Sequence, residues 1–188
     1  MPFPLAISDN GGMAECQVLL TKGKGRRRLT GSSTGLCTEA IHTAITFISI
    51  NMPLLRAWLH PTNPRTSLYS RYTDLTVALE YIDSPKSGSS GGVCVALSLA
   101  MLVGDSKLKG EDLTLTGAID LRGRIGAVGG VEEKVRHAMA NGVNLLVVPA
   151  LNEKGLKLEG KEEQEYLEKS VRWVNTFVDL LEATIEGE

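Results

Sequence analysis

Pro85-Lys86-Ser87-Gly88-Ser89-Ser90-Gly91-Gly92 runs without a break into Val93-Cys94-Val95-Ala96-Leu97-Ser98-Leu99-Ala100-Met101-Leu102-Val103, and Gly104 closes the run. A turn of small residues thus opens an unbroken apolar segment of helix length, with a glycine placed to end the helix. Composition alone would make Gly88 to Gly92 a flexible Gly/Ser linker. A linker, however, seldom feeds a buried helix. A serine at such a helix start lies among unpaired backbone N–H groups at the positive end of the helix dipole, where an oxyanion can be held.

A hydroxyl at its ordinary pKa is a poor nucleophile and needs a neighbouring base. Lys134, in Gly129-Gly130-Val131-Glu132-Glu133-Lys134, is the candidate. A lysine in water has a pKa of about 10.4, so this role requires an apolar setting that disfavours the ammonium. Val128, Val131 and the apolar run after the turn are suited to supply it. No histidine is required for this chemistry.

The same residues carry a family resemblance. The chain resembles the proteolytic domain of the Lon proteases, ATP-dependent endopeptidases with a Ser-Lys dyad. The family pattern P-K-D-G-P-S-A-G is matched by Pro85 to Gly92, and its register puts the nucleophile at Ser90 rather than Ser89. The family's T-G-x-I-x-L-R-G is matched by Thr116-Gly117-Ala118-Ile119-Asp120-Leu121-Arg122-Gly123, followed by Gly129-Gly130 and the base Lys134. Val147-Val148-Pro149-Ala150-Leu151-Asn152 is similar to the family strand that ends in a proline and an asparagine. Upstream, Leu5 to Gly12, Lys24-Gly25, Leu29-Thr30-Gly31 and Glu39 to Ala44 follow in the expected order. Three departures stand out. Ser87 replaces the acidic residue and Ser89 the proline, Gly91 stands where alanine is usual, and Leu75 to Ser84 lacks the histidines of many members. The turn is therefore looser and less negative, and Gly91 adds backbone freedom.

The resemblance implies a mixed α/β (α+β) fold, with mixed sheets and packed helices in a single domain spanning 1–188, its core about 4–181. It implies a serine endopeptidase with Ser90 as nucleophile, Lys134 as base, Thr116 orienting the lysine amine, and Ser89 and Gly91 shaping the catalytic turn. Unfolded or damaged polypeptides would be the substrates, and a homo-oligomer, a hexameric ring in the family, would enclose the sites. No cofactor or metal is expected in this chain. There is no G-x-x-x-x-G-K-[ST] loop, so ATP and magnesium would act only through an AAA+ ATPase module outside it. The chain is then expected to be either a piece of a longer ATP-dependent protease or a stand-alone Lon-like protease. Two other readings compete: a Lon fold used as a non-catalytic assembly or binding module, and an amidase or esterase using the same dyad.

Composition agrees with one compact enzyme domain. The 188 residues suffice for a sizeable core. A net charge of −2 with 22% charged residues gives no overall field toward nucleic acid or membrane. No apolar stretch reaches the roughly 20 residues of a membrane span, and Met1-Pro2-Phe3-Pro4 is not a signal peptide. Cys16, Cys37 and Cys94 have no metal or redox spacing and read as reduced thiols in a cytoplasmic compartment.

The pattern of apolar residues predicts a hairpin of Pro4 to Ser8 and Ala14 to Leu20 about Asp9-Asn10-Gly11-Gly12. It predicts a helix over Ser33 to Asn51, a strand over Leu75 to Ile82, and strands over Leu113 to Ile119 and Val143 to Val148. Val131 to Ala140 and Gln164 to Ile185 are predicted helices, the last long and amphipathic. Pro53 to Arg71 reads as a surface loop, or, as the resemblance implies, as extended chain near the substrate groove that would offer an edge to a peptide. The basic run Lys22 to Arg28 is read as a solvated hairpin tip rather than a nucleic-acid site. Lys86 is expected to point away from Ser90, and His42, His60 and His137 are scattered without a ligand or triad pattern. Cys94 is expected in the core, and Asp120 and Arg122 in structural or intersubunit contacts.

Overall fold

In the computed structural model the described residues are 4–7, 12–31, 35–59, 71–80, 88–104, 107–110 and 112–186. Along the chain they form β1 (Leu5–Ile7), β2 (Met13–Lys22), β3 (Arg27–Thr30), α1 (Gly35–Leu59), β4 (Thr73–Glu80), α2 (Gly92–Gly104), β5 (Leu113–Leu115), β6 (Ala118–Ile119) and β7 (Ile125–Gly126). There follow α3 (Val131–Ala140), β8 (Leu145–Pro149), a 3-10 turn (Ala150–Gly155), α4 (Lys161–Ser170), β9 (Val171–Val174) and α5 (Phe177–Thr184).

Seven strands make one mixed sheet in the order β3-β4-β2-β1-β5-β8-β9, and β6 and β7 pair as a separate ribbon. β2 is antiparallel to both β1 and β4, whereas β1, β5, β8 and β9 are mutually parallel. Tracing these directions shows that β4, β5 and β8 all point the same way. The C-terminal ends of β4, β5 and β8 therefore lie at one end of the sheet, together with the turn after β5 and the 3-10 turn after β8, where loops of open α/β sheets carry binding sites.

Strand alternation sorts the apolar residues onto two faces. Cys16, Val18, Leu75, Val77, Leu79, Leu115 and Val147 belong to the larger core, with α1, α2 and α5. Ile7, Leu146, Val148 and Val171 belong to a smaller one, with α3 and the inner side of α4. Helix α2 is apolar all round because it is enclosed between the sheet and α1, and twelve of its thirteen residues are buried. This is a mixed α/β single domain, as its sequence predicts.

Four expectations are corrected. The final helix is interrupted: Val171-Arg172-Trp173-Val174 adds to the sheet edge beside β8, with Val171 and Trp173 toward the smaller core and Val174 in the larger one. The helix restarts as α5 with Thr176 as its cap, the Thr176 hydroxyl accepting from the Asp179 N–H at 3.2 Å while the Asp179 carboxylate accepts from the Thr176 N–H at 3.0 Å. The first long helix extends to Leu59 through Pro53, so 53–59 is helix and not loop or extended chain. Burial of Ile41, Ile45, Phe47, Ile48 and Leu55 outweighs the hydrogen bond that a mid-helix proline cannot donate. The loop read over 60–70 lies outside the described residues.

The strand expected over Leu113 to Ile119 breaks after Leu115, and β6 begins at Ala118. Finally, Lys22 to Arg28 is no hairpin tip, because β4 lies between β2 and β3. It arches over the start of β4, where the Asp74 carboxylate accepts from the N–H groups of Lys24 at 2.7 Å and Arg26 at 2.8 Å. Those two backbone bonds, first Arg26 and then Lys24, hold the Asp74 carboxyl below its usual range. The predicted hairpin of β1 and β2 is present, with Leu5 opposite Glu15 and Ile7 opposite Met13; 8–11 lie outside the described residues.

Candidate active site

The break after β5 organises the site. Through Leu115 this strand pairs with β8, and the Thr116 N–H still donates to the Val147 carbonyl at 3.0 Å. One residue later the partner changes: the Gly117 N–H donates to the Ser90 carbonyl at 2.8 Å, and the Gly117 carbonyl accepts from the Val93 N–H at 3.2 Å. Gly117 thus clasps the turn and first residues of α2 from both sides. A methyl group at Gly117 would lie 3.0 Å from the Val93 and Ile125 side chains in the larger core, so any larger residue would have to push them aside.

Thr116 points to the opposite face. Its hydroxyl accepts from the Lys134 ammonium or amine nitrogen, Nζ, at 3.1 Å, and Thr116 and Lys134 are 1% and 3% exposed. Lys134 occupies a place in the buried stripe of α3, which reads Val131, Lys134, Val135, Ala138 at helical spacing. A cation at an apolar position is costly unless its head is partnered or neutral. The helix is entered through Gly129 and Gly130, the latter in the left-handed region at φ 64°, and the Lys134 N–H donates to the Gly130 carbonyl at 3.1 Å.

Consecutive residues on the two faces of one extended chain therefore receive the two expected groups. Gly117 takes the Ser90 backbone from the α2 side, and Thr116 takes Lys134 from the α3 side. Ser89 is exposed, and its carbonyl accepts from the Gly92 N–H at 3.0 Å; Ser90 and Gly91 are half-buried. Among the described residues the Ser90 and Gly91 N–H groups make no backbone hydrogen bond. Pro85, Lys86 and Ser87 lie outside the described residues.

Other sequence candidates fall elsewhere. Asp120 closes the turn between β6 and β7, its carboxylate accepting from the Arg122 and Arg124 N–H groups at 2.8 and 2.9 Å and pairing with the Arg124 guanidinium at 2.7 Å. His42 is exposed on α1 and His137 half-buried on α3; His60 lies outside the described residues. All three cysteines are free and buried, and burial, with the adjacent Cys16 thiol, raises the Cys94 pKa well above the ordinary value. No group of three or more metal-binding side chains occurs among the described residues. No helix among them is long and apolar enough to cross a membrane.

The sequence reading matched Asn152 to the family without giving it a task. Its amide makes two hydrogen bonds to one residue, accepting from the Val128 N–H at 3.0 Å and donating to the Val128 carbonyl at 2.8 Å. Proximity in sequence gives no signal for this pairing, since it joins the turns after β7 and β8.

The chain matches the Lon protease C-terminal proteolytic domain over residues 4–186 and belongs to that family. It is 28% identical to a Lon protease of Campylobacter jejuni over 182 residues, covering 95% of this chain and 22% of the relative. It is 30% identical to one from Desulfovibrio desulfuricans over 189 residues, covering 100% and 20%. A Lon protease of Syntrophomonas wolfei is 31% identical over 153 residues, covering 81% and 18%. The chain thus spans only that small share of its relatives' length. Family membership supports a Lon-type peptidase.

Proposed function

We propose that this chain is a serine endopeptidase with Ser90 as nucleophile and Lys134 as base. The reading is carried by the Thr116-Gly117 junction, which binds the Ser90 backbone on one side and Lys134 Nζ on the other. In the proposed reaction neutral Lys134 takes the Ser90 hydroxyl proton as that oxygen attacks a peptide carbonyl, then passes it to the departing amine. Thr116 holds the lysine nitrogen in place, while Ser89 and Gly91 shape the turn. The N–H groups of Ser90 and Gly91 are suited to hold the oxyanion. A water molecule, deprotonated by the same lysine, then releases the acyl group.

The proposal extends to unfolded polypeptides as substrates, a homo-oligomer of ring form, a cytoplasmic setting, and an AAA+ module in a longer protein as the source of any ATP dependence. Alone, a chain of this kind would cut unfolded chains slowly and without ATP.

The test is cleavage of a casein-like unfolded substrate by the wild type, Ser90→Ala and Lys134→Ala, with and without ATP. Each variant should lose on the order of 10³-fold or more in rate, since members of a nucleophile–base unit fail together. Equal cutting by Ser90→Ala and wild type would sink the proposal. Preference for a small ester over the polypeptide would move it to the amidase or esterase class.

A further inference from the structure

We infer that Asn152 is a positioning residue for Lys134, acting through the backbone of Val128. The inference rests on Lys134 being the base of the proposed reaction. Its starting point is topology: at the end of the sheet where β5 and β8 finish, Ser90 is held by the Gly117 N–H, Thr116 directly follows β5, and Asn152 stands in the 3-10 turn after β8. The first two already have a task there.

Asn152 behaves as a short piece of strand. Its amide oxygen accepts from the Val128 N–H at 3.0 Å and its amide nitrogen donates to the Val128 carbonyl at 2.8 Å, the exchange that a neighbouring strand residue would make. Both polar groups of one backbone residue are thereby fixed. Immediately after it come Gly129, beside which a side chain would meet open space, and Gly130 with positive φ. Two glycines in succession leave a chain with wide conformational freedom. Held only at its far end by the first turn of α3, this hinge would let the helix rotate or slide. Lys134 lies in that first turn, and a small rotation carries Nζ away from the Thr116 hydroxyl. The asparagine clamp removes the freedom at the near end, so the lysine is aimed by a residue that does not touch it.

The alternative is that the clamp merely adds stability, and the experiment separates the two. Covalent modification of Ser90 by a fluorophosphonate probe is followed at saturating and sub-saturating concentration, giving the limiting rate and the apparent affinity separately. Wild type, Lys134→Ala, Asn152→Ala and Asn152→Asp are compared below their unfolding temperatures. Asn152→Asp keeps the acceptor for the Val128 N–H and the side-chain shape, and serves if Asn152→Ala does not fold. Loss of aim should lower the limiting rate on the order of 10²-fold with affinity within about twofold, as expected for a misplacement of about 1 Å. Hydrogen exchange at the Val128 N–H should accelerate in Asn152→Ala.

A folded Asn152→Ala with a limiting rate within about twofold of wild type overturns the inference, provided Lys134→Ala is slow. Equal rates for Lys134→Ala and wild type overturn the proposed function instead, so the two failures are distinguishable.

Discussion

Helices α2 and α3 lie on opposite faces of one sheet and are built to different rules. Twelve of thirteen residues of α2 are buried, and it rests in the larger core among residues from α1, β2, β4 and α5. In α3 the buried residues are Val131, Lys134, Val135 and Ala138, and its outer side is tied to the next segment by polar contacts, Arg136 to Glu163 at 2.8 Å and the Lys157 N–H to Glu132 at 3.3 Å. The serine is thus anchored by bulk packing, whereas the lysine is anchored by a narrow stripe and a few directed bonds. Stability and alignment are therefore separable in this molecule. Damage behind the serine should unfold it, and damage behind the lysine should detune it.

Leu97→Ala, in the fully buried middle of α2, should break the comparison on the stability side. It should cost about 2–5 kcal/mol in denaturant unfolding, because the enclosed site collapses poorly around the missing atoms. A loss below 1 kcal/mol would show that α2 is not the anchor described here. Next comes Gly117→Ala, which forces a methyl group against Val93 and Ile125. About 1–3 kcal/mol is expected, with a lower rate of Ser90 modification because the clasp on the turn opens. Unchanged stability and labelling would mean that the turn is held by other contacts.

The smallest effect sharpens the comparison in the opposite direction. Gly91 has no positive φ, and a methyl group there would meet only Leu79 at 3.8 Å, an ordinary contact. Gly91→Ala should therefore gain about 0.4–1 kcal/mol by restricting the unfolded chain, with activity retained. Destabilisation would show that the catalytic turn needs the freedom of glycine.

Sequence legibility followed locality. The turn with its apolar helix and Val131 to Ala140 were readable because their signals lie within one continuous segment; α3 has the predicted limits. Lys134 was readable too, as a lysine just past a Gly-Gly pair. What escaped depended on neighbours distant in the chain. Val171 to Val174 reads as helix until β8 is known to lie beside it, although the Thr176 and Asp179 pair marks a fresh helix start. The break at Thr116-Gly117 is invisible in an apolar run, because the change of partner from β8 to the turn at Ser90 is a tertiary event. The same holds for the arch of Lys22 to Arg28, which became an arch only when β4 entered between β2 and β3.

The alternation of Thr116 and Gly117 has one more consequence. Side chains along an extended chain switch faces at every step, so a slip of one residue in this strand would present the hydroxyl to the serine's side and the bare glycine to the lysine's. Such a copy would also turn Leu113 and Leu115 out of the larger core and Thr114 into it, and would hold no assembled pair. Under the proposed function the site would therefore double as a mark of the strand's register: a chain folded one notch out would be silent rather than indiscriminate.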